Sequence, residues 1–168
     1  MRKLKVFLAV LLASLSLHVH PSEIDSLLRE LDMSIRNRPQ YTLKRQEQID
    51  ALQRKLRLSH SDQERYDLYR ELFGKYRSYR MDSALWVANQ RVELAKRMKN
   101  PLYIRSAELN IAEVMIGVAM YKEGLEILDG IKSADLDASG VSYYYYQYHQ
   151  VYTLMADYAF SDQMKEHY

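Results

Sequence analysis

Asn110-Ile111-Ala112-Glu113-Val114-Met115-Ile116-Gly117-Val118-Ala119-Met120-Tyr121-Lys122-Glu123-Gly124-Leu125 decides the fold. Leu102, Ile104, Ala107, Ile111, Ala112, Val114 and Met115 recur at helical spacing and predict a helix ending near Gly117. A short turn at Ala119 to Tyr121 leads into a second helix over residues 122–131, with Leu125, Ile127 and Leu128 as its apolar positions. Ala112 and Gly124 stand twelve residues apart. A small residue early in the second helix lets two antiparallel helices approach closely. The stretch is therefore a helical hairpin.

The same reading extends in both directions. Asn100-Pro101 starts the hairpin's first helix, since Asn is a good N-cap and Pro is preorganised for the first turn. Before it, residues 82–99 form a helix on Ala84, Leu85, Val87, Ala88, Val92, Leu94, Ala95 and Met98. Asp82-Ser83-Ala84-Leu85 occupies the place of Lys122-Glu123-Gly124-Leu125, forty residues earlier. Ser61-Asp62-Gln63-Glu64 has the form of a capping box and opens a helix carrying Tyr66, Leu68, Tyr69, Leu72, Phe73 and Tyr76. A basic helix is expected over residues 41–58. Another starts at Ser22, with Ile24, Leu27, Leu28, Leu31 and Ile35 on one face, and stops before Pro39. After a polar connector at residues 135–140, a tyrosine-rich helix is expected over residues 141–160. No stretch alternates as a strand does, and five Gly and three Pro leave few of the turns that many short strands need. The chain is expected to be all-α.

The residues from Asn110 to Leu125 resemble a tetratricopeptide repeat. Ala112 matches that family's small residue in the first helix, Gly124 the small residue in the second, and Tyr121 the aromatic near it. The resemblance implies antiparallel hairpins stacked as a right-handed solenoid, with Ala84, Ala112, Tyr121 and Gly124 in the repeat packing. Departures are visible: forty residues separate the two hairpins where the family period is about 34, and Leu72, not a small residue, stands twelve before Ala84. A third repeat needs a second helix at Ser161-Asp162-Gln163-Met164, close to where this sequence stops. A wider resemblance runs through Ser22-Glu23-Ile24-Asp25-Ser26-Leu27-Leu28, Tyr69-Arg70-Glu71-Leu72-Phe73, and Tyr76-x-x-Tyr79-x-x-Asp82-Ser83-Ala84. It is similar to the N-terminal periplasmic sensor region of bacterial membrane-anchored transcriptional regulators. It implies the sensor part of a regulator, truncated at its C-terminal end.

Met1-Arg2-Lys3-Leu4-Lys5 is a cationic start, and Val6 to Leu17 is almost wholly apolar. That order is a secretory signal peptide, assigned to residues 1–20, with residues 21–168 as the solenoid. The apolar run is shorter than the roughly 20 residues a membrane span needs. The expected location is therefore exported, periplasmic or membrane-associated, with the N-terminal signal as the membrane contact.

Composition narrows the chemistry. The absence of Cys excludes disulfides, thiolate metal sites, a Cys nucleophile and a lipidated N-terminal Cys. A formal charge of +2 gives no electrostatic case for nucleic acid. Asp135-x-Asp137-x-Ser139-Gly140 copies the start of a calcium loop, but the twelfth position is Tyr146 rather than Glu. It reads as an inter-helix turn with Asp137 or Ser139 as cap. Glu108 and Glu113 diverge by about 140° on one helix and do not form an acid/base pair. Gly74-Lys75 lacks the preceding glycine of a phosphate loop. His149, among tyrosines, reads as a structural histidine.

Fifteen tyrosines leave one candidate surface. Tyr145, Tyr148 and Tyr152 fall on one helical stripe, with Tyr144 one turn before Tyr148. Tyr is enriched at binding hot spots and is equally able to fill an inter-repeat core. The expectation is a non-catalytic module that binds a protein or peptide through Tyr144, Tyr145, Tyr148 and Tyr152, without cofactor or metal. The alternative is a structural scaffold in a cell-envelope assembly. The uncapped end of the solenoid offers a surface for a homodimer.

Overall fold

The computed structural model describes residues 21–159, and their side chains from residue 23. The signal segment and the third-repeat helix expected at Ser161 lie outside the described residues. The described chain belongs to two compact units, one ending at Gln46 and one starting at Glu47.

In the first unit, α1 (Pro21–Arg36) is followed after the single residue Asn37 by the start of α2 (Arg38–Leu58). α1 ends before Pro39, as the sequence implied, but α2 starts at Arg38 rather than near Tyr41, so Pro39 falls inside it. It lies within the first turn of α2, where its missing N–H is an orphan in any case. The apolar stripe of α1 is present as a stripe, but Ile24, Leu27, Leu28, Leu31 and Ile35 are all exposed. Periodicity reported the helix and not its burial.

The second unit contains the end of α2, then α3 (Asp62–Tyr76), α4 (Met81–Arg97), α5 (Pro101–Gly117), α6 (Tyr121–Asp129), a 3-10 turn (Ser133–Asp135) and α7 (Ala138–Asp157). The caps explain the starts. Ser61 Oγ accepts the Glu64 N–H at 3.1 Å, and Glu64 reaches back to the His60 N–H. Asn100 Oδ1 accepts the Tyr103 N–H at 3.2 Å, with Pro101 in the first turn. Asp137 Oδ1 accepts the Gly140 N–H at 2.7 Å and the Ser139 hydroxyl at 2.9 Å. These bonds hold the Asp137 carboxyl below the usual carboxylate range, the Gly140 N–H contributing most. That cap starts α7 three residues before the expected Val141.

Each helix packs on its neighbours along the chain: α3 on α4, α4 on α5, α5 on α6, and α7 back onto α5 and α6. This is the one-dimensional contact pattern of a stacked repeat. One core joins Ile49 and Leu52 of α2 to Leu68, Leu72, Phe73 and Tyr76 of α3 and to Ala84, Val87 and Ala88 of α4. Another joins Leu109, Ala112 and Ile116 of α5 to Leu128 of α6, Ile131 and Val151 of α7. Ala84 and Ala112 are fully buried, Gly124 is buried, and Tyr121 is half-buried. In the first hairpin, Leu72 shares its core with Ala84, so a large side chain is matched by a small one. In the second, Ala112 faces Gly124: a Cβ built on Gly124 would lie 2.8 Å from Ile116 Cγ1 and 3.6 Å from the Ala112 carbonyl oxygen.

The turns on either side of α5 share one geometry. Lys99 (φ 52°) and Ala119 (φ 62°) are left-handed. After each, the chain bonds back across the helix end: Asn100 N–H to Ala95 O at 3.1 Å, and Met120 N–H to Met115 O at 2.8 Å. These are Schellman closures made without glycine, which explains why the glycine content understated the number of tight turns.

Candidate functional site

The first helices of the two hairpins, α3 and α5, lie with α7 around a cleft of about 460 Å³. From α3 and its C-cap come Tyr66, Asp67, Arg70, Phe73, Gly74 and Arg77. From α5 come Leu102, Tyr103, Ser106, Leu109 and Asn110. From α7 and its cap come Asp137, Ser139, Gly140 and Tyr143, while α4 contributes Arg91.

The cleft has two ordered features. The first is a stack. The Tyr66 and Tyr103 rings lie 4.5 Å apart and 9° from parallel, and the Tyr66 hydroxyl donates to the Tyr103 carbonyl at 2.9 Å. The Arg91 guanidinium lies 4.4 Å from the centre of the Tyr66 ring. Burial raises the Tyr66 hydroxyl above its ordinary range and lowers the Arg91 guanidinium, each partly offset by the other.

The second feature is a polar chain through four helices. Arg91 Nη1 donates to Asn110 Oδ1, and Asn110 Nδ2 reaches the Tyr143 hydroxyl at 3.5 Å. Tyr143 donates to Glu113 Oε2, and Arg77 Nη1 donates to Glu113 Oε1 at 2.9 Å. Burial pushes the Tyr143 hydroxyl well up, and the adjacent Glu113 carboxylate adds to this. Tyr143 therefore stays a donor at physiological pH. The chain fixes α7 against α5 and α3, and so fixes the walls of the cleft.

The four tyrosines expected to bind stand elsewhere on α7. Tyr144 and Tyr148 are half-buried against the α5–α6–α7 core. The Tyr148 hydroxyl donates to Asp129 Oδ1 at 2.6 Å and lies 3.4 Å from the Tyr144 hydroxyl, which ties α7 to the end of α6. Burial first, then the bond to Asp129, raises the Tyr148 hydroxyl. Tyr145 is exposed and makes an edge contact to Tyr144 at 5.2 Å. Tyr152 is exposed and stacks on Tyr148 at 6.2 Å. None of the four lines the cleft; Tyr143, their neighbour, does. His149 is exposed rather than part of the core.

Sequence reasoning missed Arg91 and Asn110. Both carried a signal. Arg91 continues the Ala84, Ala88, Ala95 stripe of α4, and Asn110 falls between Ala107 and Val114 on α5. A polar residue in the register of a buried stripe marks a point where the stripe meets a cavity or a polar network.

Among the described residues no three His, Cys, Asp or Glu side chains converge on a metal-sized site. No helix among them is long and apolar enough to cross a membrane.

Antiparallel hairpins with small residues at the helix crossing and a cleft on their first helices define an all-α solenoid of the tetratricopeptide type. As a class, such repeats use extended concave surfaces for binding. The family model described as the SusR N-terminal TPR domain matches residues 35–168, and the chain belongs to that family. Comparison with curated proteins and with solved structures returned no match.

Proposed function

We propose that this chain is the extracytoplasmic sensor part of a regulator and that it holds a protein or peptide segment in the α3–α5–α7 cleft. The family match, to a domain named as the N-terminal part of SusR, supports the regulator. The cationic start and apolar run at residues 1–20 support export through a cleaved or retained signal. The observation that carries the binding reading is the cleft itself. It lies on the first helices of consecutive hairpins, where a solenoid presents its concave side, and its walls are fixed by the Arg91–Asn110–Tyr143–Glu113–Arg77 chain. The role is recognition without catalysis. Tyr145 and Tyr152 are exposed on α7 outside this cleft, in ring contact with the half-buried Tyr144 and Tyr148.

Ser106 is half-buried and lines the cleft without belonging to a core cluster, so its replacement can block the space without opening a cavity. Ser106→Trp is expected to abolish capture of peptides from a displayed random library while leaving the helical melt within a few degrees of wild type. Trp86→Ala, at an exposed ring outside this cleft, is expected to leave capture unchanged. Undiminished capture by Ser106→Trp would place the binding surface elsewhere.

The exposed apolar stripe of α1 favours a second reading, a scaffold in a cell-envelope assembly. Peptide capture that depends on α1 and not on Ser106 would select it.

A further inference from the structure

Arg91 is only 1 % exposed and borders the cleft. Its Nη1 is used by Asn110, and its face lies against the Tyr66 ring, but its buried Nε–H has no acceptor. Among the described residues no carboxylate is within ion-pair distance of it. The acids nearby are already engaged: Asp67 with Arg70 at 3.4 Å and Glu113 with Arg77 at 2.9 Å. Asp137 is held by its capping bonds to Ser139 and Gly140.

A buried cation with no carboxylate bonded to it is costly: burial opposes its charged form most, Arg70 adds to this, and Tyr66 and the more distant Asp67 offset it only in part. Arg keeps its proton under such conditions, so the charge stays while no carboxylate is bonded to it. The chemical group that fits is a carboxylate, planar and able to take two parallel N–H bonds from one guanidinium. The Tyr66–Tyr103 stack holds the guanidinium from one side, so little ordering is left to be done on binding. Asn110, whose Nδ2 makes only the long 3.5 Å contact to Tyr143, is a second donor beside it.

We propose that the cleft seats a carboxylate of its peptide ligand on Arg91, so that the module selects acidic segments; this rests on the cleft being the binding site. The guanidinium with an unpaired Nε–H and no bonded carboxylate is what favours an acidic peptide over a neutral one of the same size.

The test uses the full chain and an array of random octapeptides, with glutarate and its uncharged analogue glutaramide as competitors. Retained peptides are expected to be enriched in Asp and Glu. Glutarate is expected to displace them and glutaramide is not. Arg91→Gln is expected to bind the retained peptides about tenfold more weakly or worse, the effect of one charge-assisted hydrogen bond. Arg91→Lys, which keeps the charge but not the planar fork, is expected to fall between. If either variant fails to fold, the glutarate and glutaramide competition on the wild type decides alone. Peptides retained with no acidic enrichment and no glutarate effect would overturn the carboxylate seat while leaving the cleft reading intact. If no peptide is retained but glutarate raises the wild-type melting temperature and glutaramide does not, the seat stands for a free carboxylate and the peptide reading falls. If neither peptide nor glutarate acts, both readings fall.

Discussion

Gly124→Leu lowers the unfolding free energy by about 2 kcal/mol, the balance of about 3 kcal/mol of overpacking against about 1 kcal/mol of gained helix propensity. The clash is specific. The first carbon added at Gly124 already lies 2.8 Å from Ile116 Cγ1, and Ile116 is itself buried in the α5–α6–α7 core. The Ala112 carbonyl, 3.6 Å away, is in ordinary contact with that carbon but belongs to the α5 backbone, so it cannot give way to the larger atoms of a Leu side chain. The replacement therefore forces α5 and α6 apart. Gly74, in α3, is the companion measurement: a Cβ there meets nothing within 4 Å. Gly74→Ala gains about 1 kcal/mol from helix propensity with no packing cost. Urea unfolding of the full chain checks both. Equal effects of one sign at the two glycines would show that α5 and α6 do not meet at Gly124.

Leu128→Ala costs about 3 kcal/mol, the middle of the range for truncating a fully buried Leu. Leu128 is 0 % exposed and lies in the core built from Leu109, Ala112, Ile116, Ile131 and Val151. It comes from α6, the shortest of the seven described α-helices, which has only nine residues to hold its place. A helix this short is marginal alone and depends on its buried face. The loss should appear as a lower urea midpoint with an unchanged slope. It should also appear as a weakened grip of α6 on α7, since Tyr148 reaches Asp129 one residue after Leu128. A cost under about 0.5 kcal/mol, the level typical of surface sites, would place Leu128 outside a packed core.

Helix order was legible from local chemistry. Ser61, Asn100 and Pro101 marked real starts because a cap is decided by groups within three or four residues. Asp137 was one of two caps the sequence allowed, and the choice between it and Ser139 moved the start of α7. Pro39 correctly marked the end of α1, which stops at Arg36, but a proline is also tolerated in a first turn, so α2 starts at Arg38 rather than near Tyr41. Ala112 and Gly124 do approach each other where α5 meets α6, with the Ala112 carbonyl 3.6 Å from where a Gly124 Cβ would stand. The cleft was less legible. Counting tyrosines drew attention to the most numerous aromatics on α7, yet Tyr144 and Tyr148 help hold that helix to α6. The cleft depends on Tyr66, Tyr103, Arg91 and Asn110, which come from three helices and have no sequence proximity. Their meeting is a property of the stack, and the local traces were a charge in the register of the α4 alanine stripe and an amide in the apolar register of α5.

The central claim is that this solenoid binds through the cleft bounded by α3, α5 and α7. Hydrogen–deuterium exchange of the full chain, with and without a peptide retained from the random library, tests it most directly. The account predicts added protection in residues 66–77, 102–110 and 137–143, with none around Trp86 or Tyr152. Protection confined to the α4 surface at Trp86, or to the exposed tyrosines at the end of α7, would contradict it.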